Sequence, residues 1–418
     1  MQVSGRDRDM LRRLAEQTAA VASLPGHSET REMWRRLNDL DPVKPMVWIT
    51  EVPWHEMDVD GELALRCEGQ FFRYLEWQLR QTLYEWRHLR GDMVVEAELY
   101  CPLVIHESGF GLHESTEVVR TDERSSIISR HYRPQIRSEA DVARIRAPEV
   151  TYDAEATEER FQCMQDVLGD ILLVEKRGAA GFWFAPWDQL VTWWGVREAL
   201  EDLVLRPELV RLAMERLVQA HLERLDQYEK LNLLSLNDNN TRIGSGGFGY
   251  TRDLPQPDFD GTHVRAADLW GCATAQIFSE VSPQMHEEFA LRYEKRWMAR
   301  FGLSYYGCCE PLHHKIDLLR QVPNLRKVSM SPRADMAAGA ARIGRDYVIS
   351  HKPNPAILAG DTWSPEAARA ELEGALEKAR GCAVEVILKD ISTVRYDPQR
   401  LWEWASIAAE VTAKFASG

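Results

Sequence analysis

The sequence predicts an α/β protein, a single (β/α)8 TIM barrel with an N-terminal helical extension and a long insertion after the second strand. Three observations carry this. Short β-prone runs alternate with amphipathic helical stretches along most of the 418 residues. Several of these runs are apolar throughout, the pattern of strands buried on both faces of a parallel sheet. No repeat period is visible, which argues against a solenoid. Residues 1–40 form the extension and residues 41–418 the barrel.

In chain order, residues 1–40 read as two helices separated by Leu24-Pro25-Gly26-His27-Ser28, with Ser28 or Thr30 as caps. The first strand, Pro45 to Thr50, ends in Glu51, with Pro53, Trp54 and His55 beyond. The second, Asp92 to Tyr100, follows an amphipathic stretch through Phe71, Leu75, Leu79, Leu83 and Trp86. Residues 101–160 lack barrel periodicity and form the insertion, with a hairpin at Ser126 to Arg130; an excursion at a strand's carboxyl end often covers a site. The third strand is Ile171 to Glu175, with a long helix from Pro207 to Gln227 after it.

The fourth strand, Leu231 to Leu236, runs into Asn237-Asp238-Asn239-Asn240, where Asn239 is a candidate substrate-binding residue, and then into Gly244 to Gly249. That loop has neither a Walker ending nor a spaced Gly-x-Gly-x-x-Gly opening a helix, so a lid or a close backbone approach fits better than a phosphate cradle. Strands five to eight are Leu303 to Tyr306, Lys327 to Ser331, Asp346 to His351 and Val384 to Asp390. The helices after the last three start near Arg333, at the capped Ser364-Pro365-Glu366, and at Pro398.

A barrel of this kind carries its chemistry at the carboxyl ends of its strands. The densest such group is Gly307-Cys308-Cys309-Glu310-Pro311-Leu312-His313-His314. Glu96 and Glu98 are two apart on one strand and share a face, and with Glu51 they are candidate catalytic carboxylates. Trp183 and Trp187, with Trp54, are candidates to wall a pocket for a flat or methylated ligand, since ring faces bind cations; packing explains such groups about as well.

A net charge of −14 excludes a protein whose main partner is nucleic acid. No run approaches the roughly eighteen apolar residues of a membrane span, and no secretory apolar core is visible. An odd number of cysteines, seven in a long chain, does not make a disulfide framework. Reduced thiols and a cytoplasmic location follow as expectations. Cys67, Cys163 and Cys272 are expected to be buried, neutral thiols.

Val281-Ser282-Pro283-Gln284-Met285-His286-Glu287-Glu288-Phe289 and His351-Lys352-Pro353-Asn354-Pro355-Ala356-Ile357-Leu358 resemble segments of the uroporphyrinogen decarboxylase superfamily, a likeness covering roughly residues 160–410. The decarboxylases of that superfamily open with an arginine-rich Met-Arg-Gln-Ala-Gly-Arg segment. Here Trp48-Ile49-Thr50-Glu51-Val52-Pro53-Trp54 stands in its place, and acidic strand ends disfavour a polycarboxylate tetrapyrrole. The resemblance therefore lies closer to the superfamily's cobalamin- or corrinoid-dependent methyltransferases, which hold zinc through a His-x-Cys pair and a second cysteine. Cys308 matches the first cysteine, Tyr306 stands where the histidine would, and the last strand ends in Lys389-Asp390.

On this resemblance the expected metal ligands are Cys308, Cys309, His351 and Asp390, holding zinc in mixed coordination. Bound metal would deprotonate a thiol at neutral pH. The implied function is metal-assisted methyl transfer between a methylated donor, either a corrinoid protein or an O- or N-methyl compound, and a thiol or corrinoid acceptor. A small-molecule substrate, a corrinoid-protein partner and a homodimer are compatible with it. The alternatives are a lyase or decarboxylase acting on a carboxylated small molecule, and a non-catalytic accessory barrel with a degenerate site.

Overall fold

The computed structural model describes residues 2–119 and 129–416. The strands among them are β1 (Met46–Ile49), β2 (Glu98–Pro102), β3 (Ile105–Glu107), β4 (Thr116–Val119), β5 (Ser129–Tyr132), β6 (Val150–Tyr152), β7 (Leu173–Arg177), β8 (Trp270–Ala273), β9 (Leu303–Tyr306), β10 (Leu325–Met330), β11 (Val348–His351) and β12 (Ala383–Leu388). The fold is mixed α/β around a six-stranded parallel sheet of order β1-β12-β11-β10-β9-β8. No sheet closes among the described residues, so the predicted barrel stands only as this parallel sheet with its helices. The chain forms two compact units, one of Met1–Val104, Asp153–Gly178 and Lys352–Gly418, the other of Ile105–Tyr152 and Ala179–His351.

In the first unit β1 pairs with β12, Met46 opposite Glu385, and β2 pairs with β7, Glu98 opposite Leu173, both in parallel. Its core explains why the N-terminal helices are not a separate body. Met10, Leu11, Leu14 and Ala15 form one stripe of the helix Gly5–Ala22, whose first turn is capped by Ser4 accepting from the Asp7 N–H at 3.0 Å. That stripe packs with Phe72, Leu75, Leu79 and Leu83 of the helix Gln70–His88 and with Met164 and Val167 of the helix Ala154–Leu168. Each buried leucine there contributes about 1.5–3 kcal/mol.

The second predicted strand starts late, at Glu98. Upstream, the Asp92 carboxylate accepts from Lys44 Nζ at 2.6 Å and from the Val47 N–H at 2.7 Å, so side-chain bonds rather than a ladder fix that stretch. Glu96 accordingly lies outside the strand on which the sequence placed it with Glu98.

In the second unit β8, β9, β10 and β11 run parallel in that order. β8 is absent from the sequence prediction. The predicted strand Leu231 to Leu236 makes a single parallel bridge, Leu234 to Ala179, because Asn232 adopts φ 53° and the Asn237 side chain takes over the pairing. Asn237 Nδ2 donates to Ala180 O at 2.7 Å and to Trp270 O at 3.0 Å, while its Oδ1 accepts from the Trp270 N–H at 2.9 Å. Within residues 101–160, β3 pairs with β6 and β4 with β5, both antiparallel. Of the predicted hairpin, Ser126 to Ile128 lie outside the described residues.

Candidate functional site

In-register residues of parallel strands share a face, and successive residues alternate. Cys272 pairs with Tyr305 and Ser329 with Ser350, whereas Tyr306 pairs with Val328 and His351 with Met330. The two tyrosines of β9 therefore point to opposite sides of the sheet. Tyr305 Oη meets Ser245 Oγ at 2.9 Å and Ser350 Oγ at 3.1 Å. The glycine-rich loop lies flush on its ring: Gly244 has φ +56°, and a Cβ there would sit 2.5 Å from Tyr305 Cδ1. Close backbone approach, not phosphate binding, accounts for those glycines.

Beyond Tyr306 the strand stops at Gly307, whose φ is +97° and whose missing Cβ would fall 2.4 Å from Leu312 Cδ1. The turn delivers the two thiols. Cys308 is buried, Cys309 half-buried, and their Sγ atoms are 3.5 Å apart, which two side chains on an ideal strand could not reach. The loop is fastened on both sides. Ser329 Oγ donates to Cys308 O at 2.8 Å, and the fully buried Glu310 accepts from the Cys308 N–H at 2.8 Å, Thr274 Oγ1 at 2.8 Å and the Ala275 N–H at 3.3 Å.

On the Tyr305 side lies a cavity of about 310 Å³ lined by residues that include Trp183, Asn237, Thr241, Arg242 and Cys272. Burial pushes the Cys272 thiol up to about 11, and the negative charge of a Cys308 thiolate pushes in the same direction. Cys272 thus sits at the wall of the cavity, within electrostatic reach of Cys308, and donates to Phe182 O at 3.2 Å.

On the Tyr306 side is a buried chain of ionisable groups. Lys315 Nζ donates to Phe278 O at 2.7 Å and meets His286 Nδ1 at 3.0 Å; His286 Nε2 meets Tyr306 Oη at 2.6 Å; and Tyr306 donates to Glu294 Oε2 at 2.7 Å. Burial, helped by Lys315, pushes His286 down to about 3, so its ring is neutral, accepts from Lys315 and donates to Tyr306. Burial pushes Glu294 up to about 8 against the pull of the Tyr306 bond, and pushes Lys315 down to about 8. Nearby, burial raises Asp188 to about 6 although Gln276 Nε2 donates to it at 2.5 Å.

Of the residues singled out from sequence, the structure brings Cys308 together with Cys309, and Glu51 together with Asp390. In the first unit Glu51 and Asp390 follow β1 and β12, both with left-handed backbone, φ 55° and 56°. The Asp390 N–H donates to Glu51 Oε2 at 3.2 Å, and Lys389 Nζ lies 2.6 Å from Asp390 and 3.4 Å from Glu51. Glu96 pairs with Arg31 at 3.3 Å, and Glu98 accepts from Tyr100 at 2.7 Å. Trp54 packs edge-on to Trp77 and Tyr84.

In the second unit Trp187 is fully buried and donates to Phe289 O at 2.9 Å, a packing role, whereas Trp183 is 46% exposed and lines the cavity. Asn239 donates to Leu236 O at 3.4 Å and accepts from Thr241 within its own loop.

Among the described residues no three His, Cys, Asp or Glu side chains are placed to hold a metal ion, and within their unit Cys308, Cys309 and His351 do not form such a set. The donors explain the misfit. Glu310 is committed to Thr274 and two amides, Asp390 is paired with Lys389, and the strand register puts His351 on the Tyr306 face. The residues present do not fit a closed zinc site.

Sequence reasoning missed His286, Glu294 and Lys315 as a group. A signal for the first two existed: both are ionisable residues on the buried side of a helical stretch otherwise filled by Phe289, Ala290, Leu291, Tyr293 and Trp297.

No family model matches the chain, and no curated protein matches it. Among solved structures it is similar to a methyltransferase from Methanosarcina mazei, at 12% sequence identity and a TM-score of 0.52, over 91% of this chain and 98% of that one. At that identity the likeness is one of fold, and it spans nearly the whole of both chains.

Proposed function

We propose that the chain is a methyl-transferring enzyme whose reactive centre is the thiol pair Cys308 and Cys309, with the cavity lined by Trp183, Arg242 and Cys272 receiving the small-molecule partner. One observation carries this reading. A pair of thiols 3.5 Å apart is held at the carboxyl end of a parallel strand by three hydrogen bonds to its loop, from Ser329, Thr274 and Ala275, with the cavity-lining Cys272 on the adjacent strand. A fold like that of a methyltransferase supports it. In the reaction the Cys308 sulfur attacks the methyl carbon, the S–C bond forms as the bond to the donor breaks, and the donor's electron pair stays on its own heteroatom or cobalt. The Cys308 proton leaves to solvent through the half-buried side of the loop at Cys309. A methylated corrinoid is the first donor to try and an N- or O-methyl compound the second; no step is routed through a metal.

The test is incubation with methylcobalamin, and separately with methylated amines and aryl methyl ethers, followed by intact-mass and peptide mass spectrometry. A single methyl group on the peptide holding Cys308, absent from Cys308→Ser at unchanged circular dichroism, is the expected result. No adduct from any donor, and no methyl transfer to an added small thiol, would remove methyl transfer from the account.

A further inference from the structure

The first unit holds a second cavity, of about 350 Å³, between the helices Gly5–Ala22 and Gln70–His88 and the loop before the latter. Its lining is unusual for a chain of net charge −14. Four guanidiniums, from Arg13, Arg66, Arg80 and Arg87, face two carboxylates, Asp60 and Glu62.

Two of the four are accounted for. Arg80 is built into the wall, donating to the buried Glu76 at 2.8 Å and to Glu62 O at 2.7 Å, and Arg87 pairs with Glu62. The other two are not. Arg13 reaches Met10 Sδ at 3.4 Å, and the Arg66 N–H donates to Glu76 at 2.8 and 3.0 Å, but among the described residues neither guanidinium is paired with a carboxylate. Both are exposed at the cavity. The rest of the wall is Gln17, Gly61 and an apolar strip in which Met10, Leu14, Leu83 and Tyr84 are buried.

We infer that this cavity binds a phosphate-bearing small molecule, independently of the thiol site. With Arg80 balanced by Glu76 and Arg87 by Glu62, Arg13 and Arg66 set against Asp60 leave a net positive charge at the cavity, which favours an anionic group such as a phosphate. A guanidinium's planar fork binds phosphate oxygens in pairs, and Arg13 and Arg66 are the groups with forks to spare. Arg80, fixed by Glu76, presets the third side. The apolar strip takes the organic part of the ligand, in a volume of the size that holds a small metabolite.

Isothermal titration calorimetry of the full chain at constant ionic strength, with inorganic phosphate, pyrophosphate and citrate as probes, tests this. Pyrophosphate binds, phosphate binds more weakly, and citrate binds more weakly than pyrophosphate. Replacing both of these arginines, Arg13→Gln with Arg66→Gln, weakens pyrophosphate binding by about tenfold or more, since it removes the charge-assisted bonds of both forks. Arg66→Lys, which keeps the charge but not the fork, loses less. Arg369→Gln, which removes an exposed guanidinium outside the lining, changes nothing. If circular dichroism shows the double variant unfolded, Arg66→Gln alone decides by the same criterion. No pyrophosphate binding, equal affinity in the arginine variants, or an equal loss in Arg369→Gln would overturn the site; tighter citrate than pyrophosphate binding would overturn its phosphate chemistry.

Discussion

Tyr305 and Tyr306 are neighbours of identical chemistry, both fully buried, and the sheet sends them into opposite electrostatic worlds. Tyr305 meets two serine hydroxyls and lies against a glycine loop. Tyr306 is the middle of a chain in which an ammonium, an imidazole and a carboxyl group are all withdrawn from water. The identity of a side chain thus says little here; the parity of its position says most.

The largest effect should come from removing each hydroxyl in turn. Tyr306→Phe leaves His286 Nε2 and Glu294 Oε2 without their partner, and Glu294 Oε1 already has none among the described residues. Stranding buried polar groups costs about 1–3 kcal/mol each, so a loss of about 3 kcal/mol is expected in urea unfolding. Tyr305→Phe leaves Ser245 with Gly307 O at 3.2 Å, so a smaller loss, about 1 kcal/mol, is expected. Equal losses would mean that the Tyr306 chain carries no special burden.

A smaller effect separates the faces by pH. Glu294 has its folded pKa raised to about 8, so the folded state holds the extra proton, and stability falls as pH rises from the ordinary carboxylate range through 8. His286 is depressed to about 3, so its contribution is complete above about 6.5 and is lost as pH falls below that. Lys315, lowered to about 8, changes stability only at and above that pH, and Asp188, raised to about 6, has largely finished titrating by 6.5. The interval between about 6.5 and 8 therefore belongs to Glu294 together with Glu85, which burial also raises to about 8. Glu294→Gln should flatten the decline of the urea midpoint across it, and an unchanged slope would assign the titration elsewhere.

The smallest effect concerns the thiols. In native iodoacetamide labelling, half-buried Cys309 should react before buried Cys308, and Cys272, pushed up to about 11, should react last. Faster labelling of Cys272 than of Cys309 would place the accessible thiol on the Tyr305 face.

Much of this sheet is legible from sequence because its strands are short, buried runs rich in apolar, β-prone residues: Met46 to Ile49, Leu303 to Tyr306, Lys327 to Met330, Val348 to His351 and Val384 to Leu388 all lie within predicted runs. β8 is illegible because its second residue is Gly271, chosen by contact: a Cβ there would lie 2.4 Å from the Phe301 ring, and that reason is thirty residues away. Leu231 to Leu236 misleads in the other direction, its apolar content serving burial while the amide of Asn237 does the pairing.

The site divides in the same way. Cys308 and Cys309 announce themselves, whereas Glu310 in the same motif looks like a ligand and is a fastener. His286, Glu294, Tyr306 and Lys315 become a group only through packing, which a linear pattern does not express.

Gly307 has a consequence for how this region could change over generations. Up to Tyr306 the chain is written in a two-letter frame, and a one-residue insertion within β9 would exchange the surroundings of its two tyrosines, turning each towards the groups that now bond the other. At Gly307, with its φ of +97°, the frame ends, and the residues after it are positioned by their own fastenings to Glu310 and Ser329. A change of length within β9 thus exchanges its faces, whereas beyond Gly307 it has to spare Leu312, buried against that glycine, and Lys315, buried on His286, which leaves half-buried His313 and exposed His314 as the place where descendants of this sequence can reshape the turn.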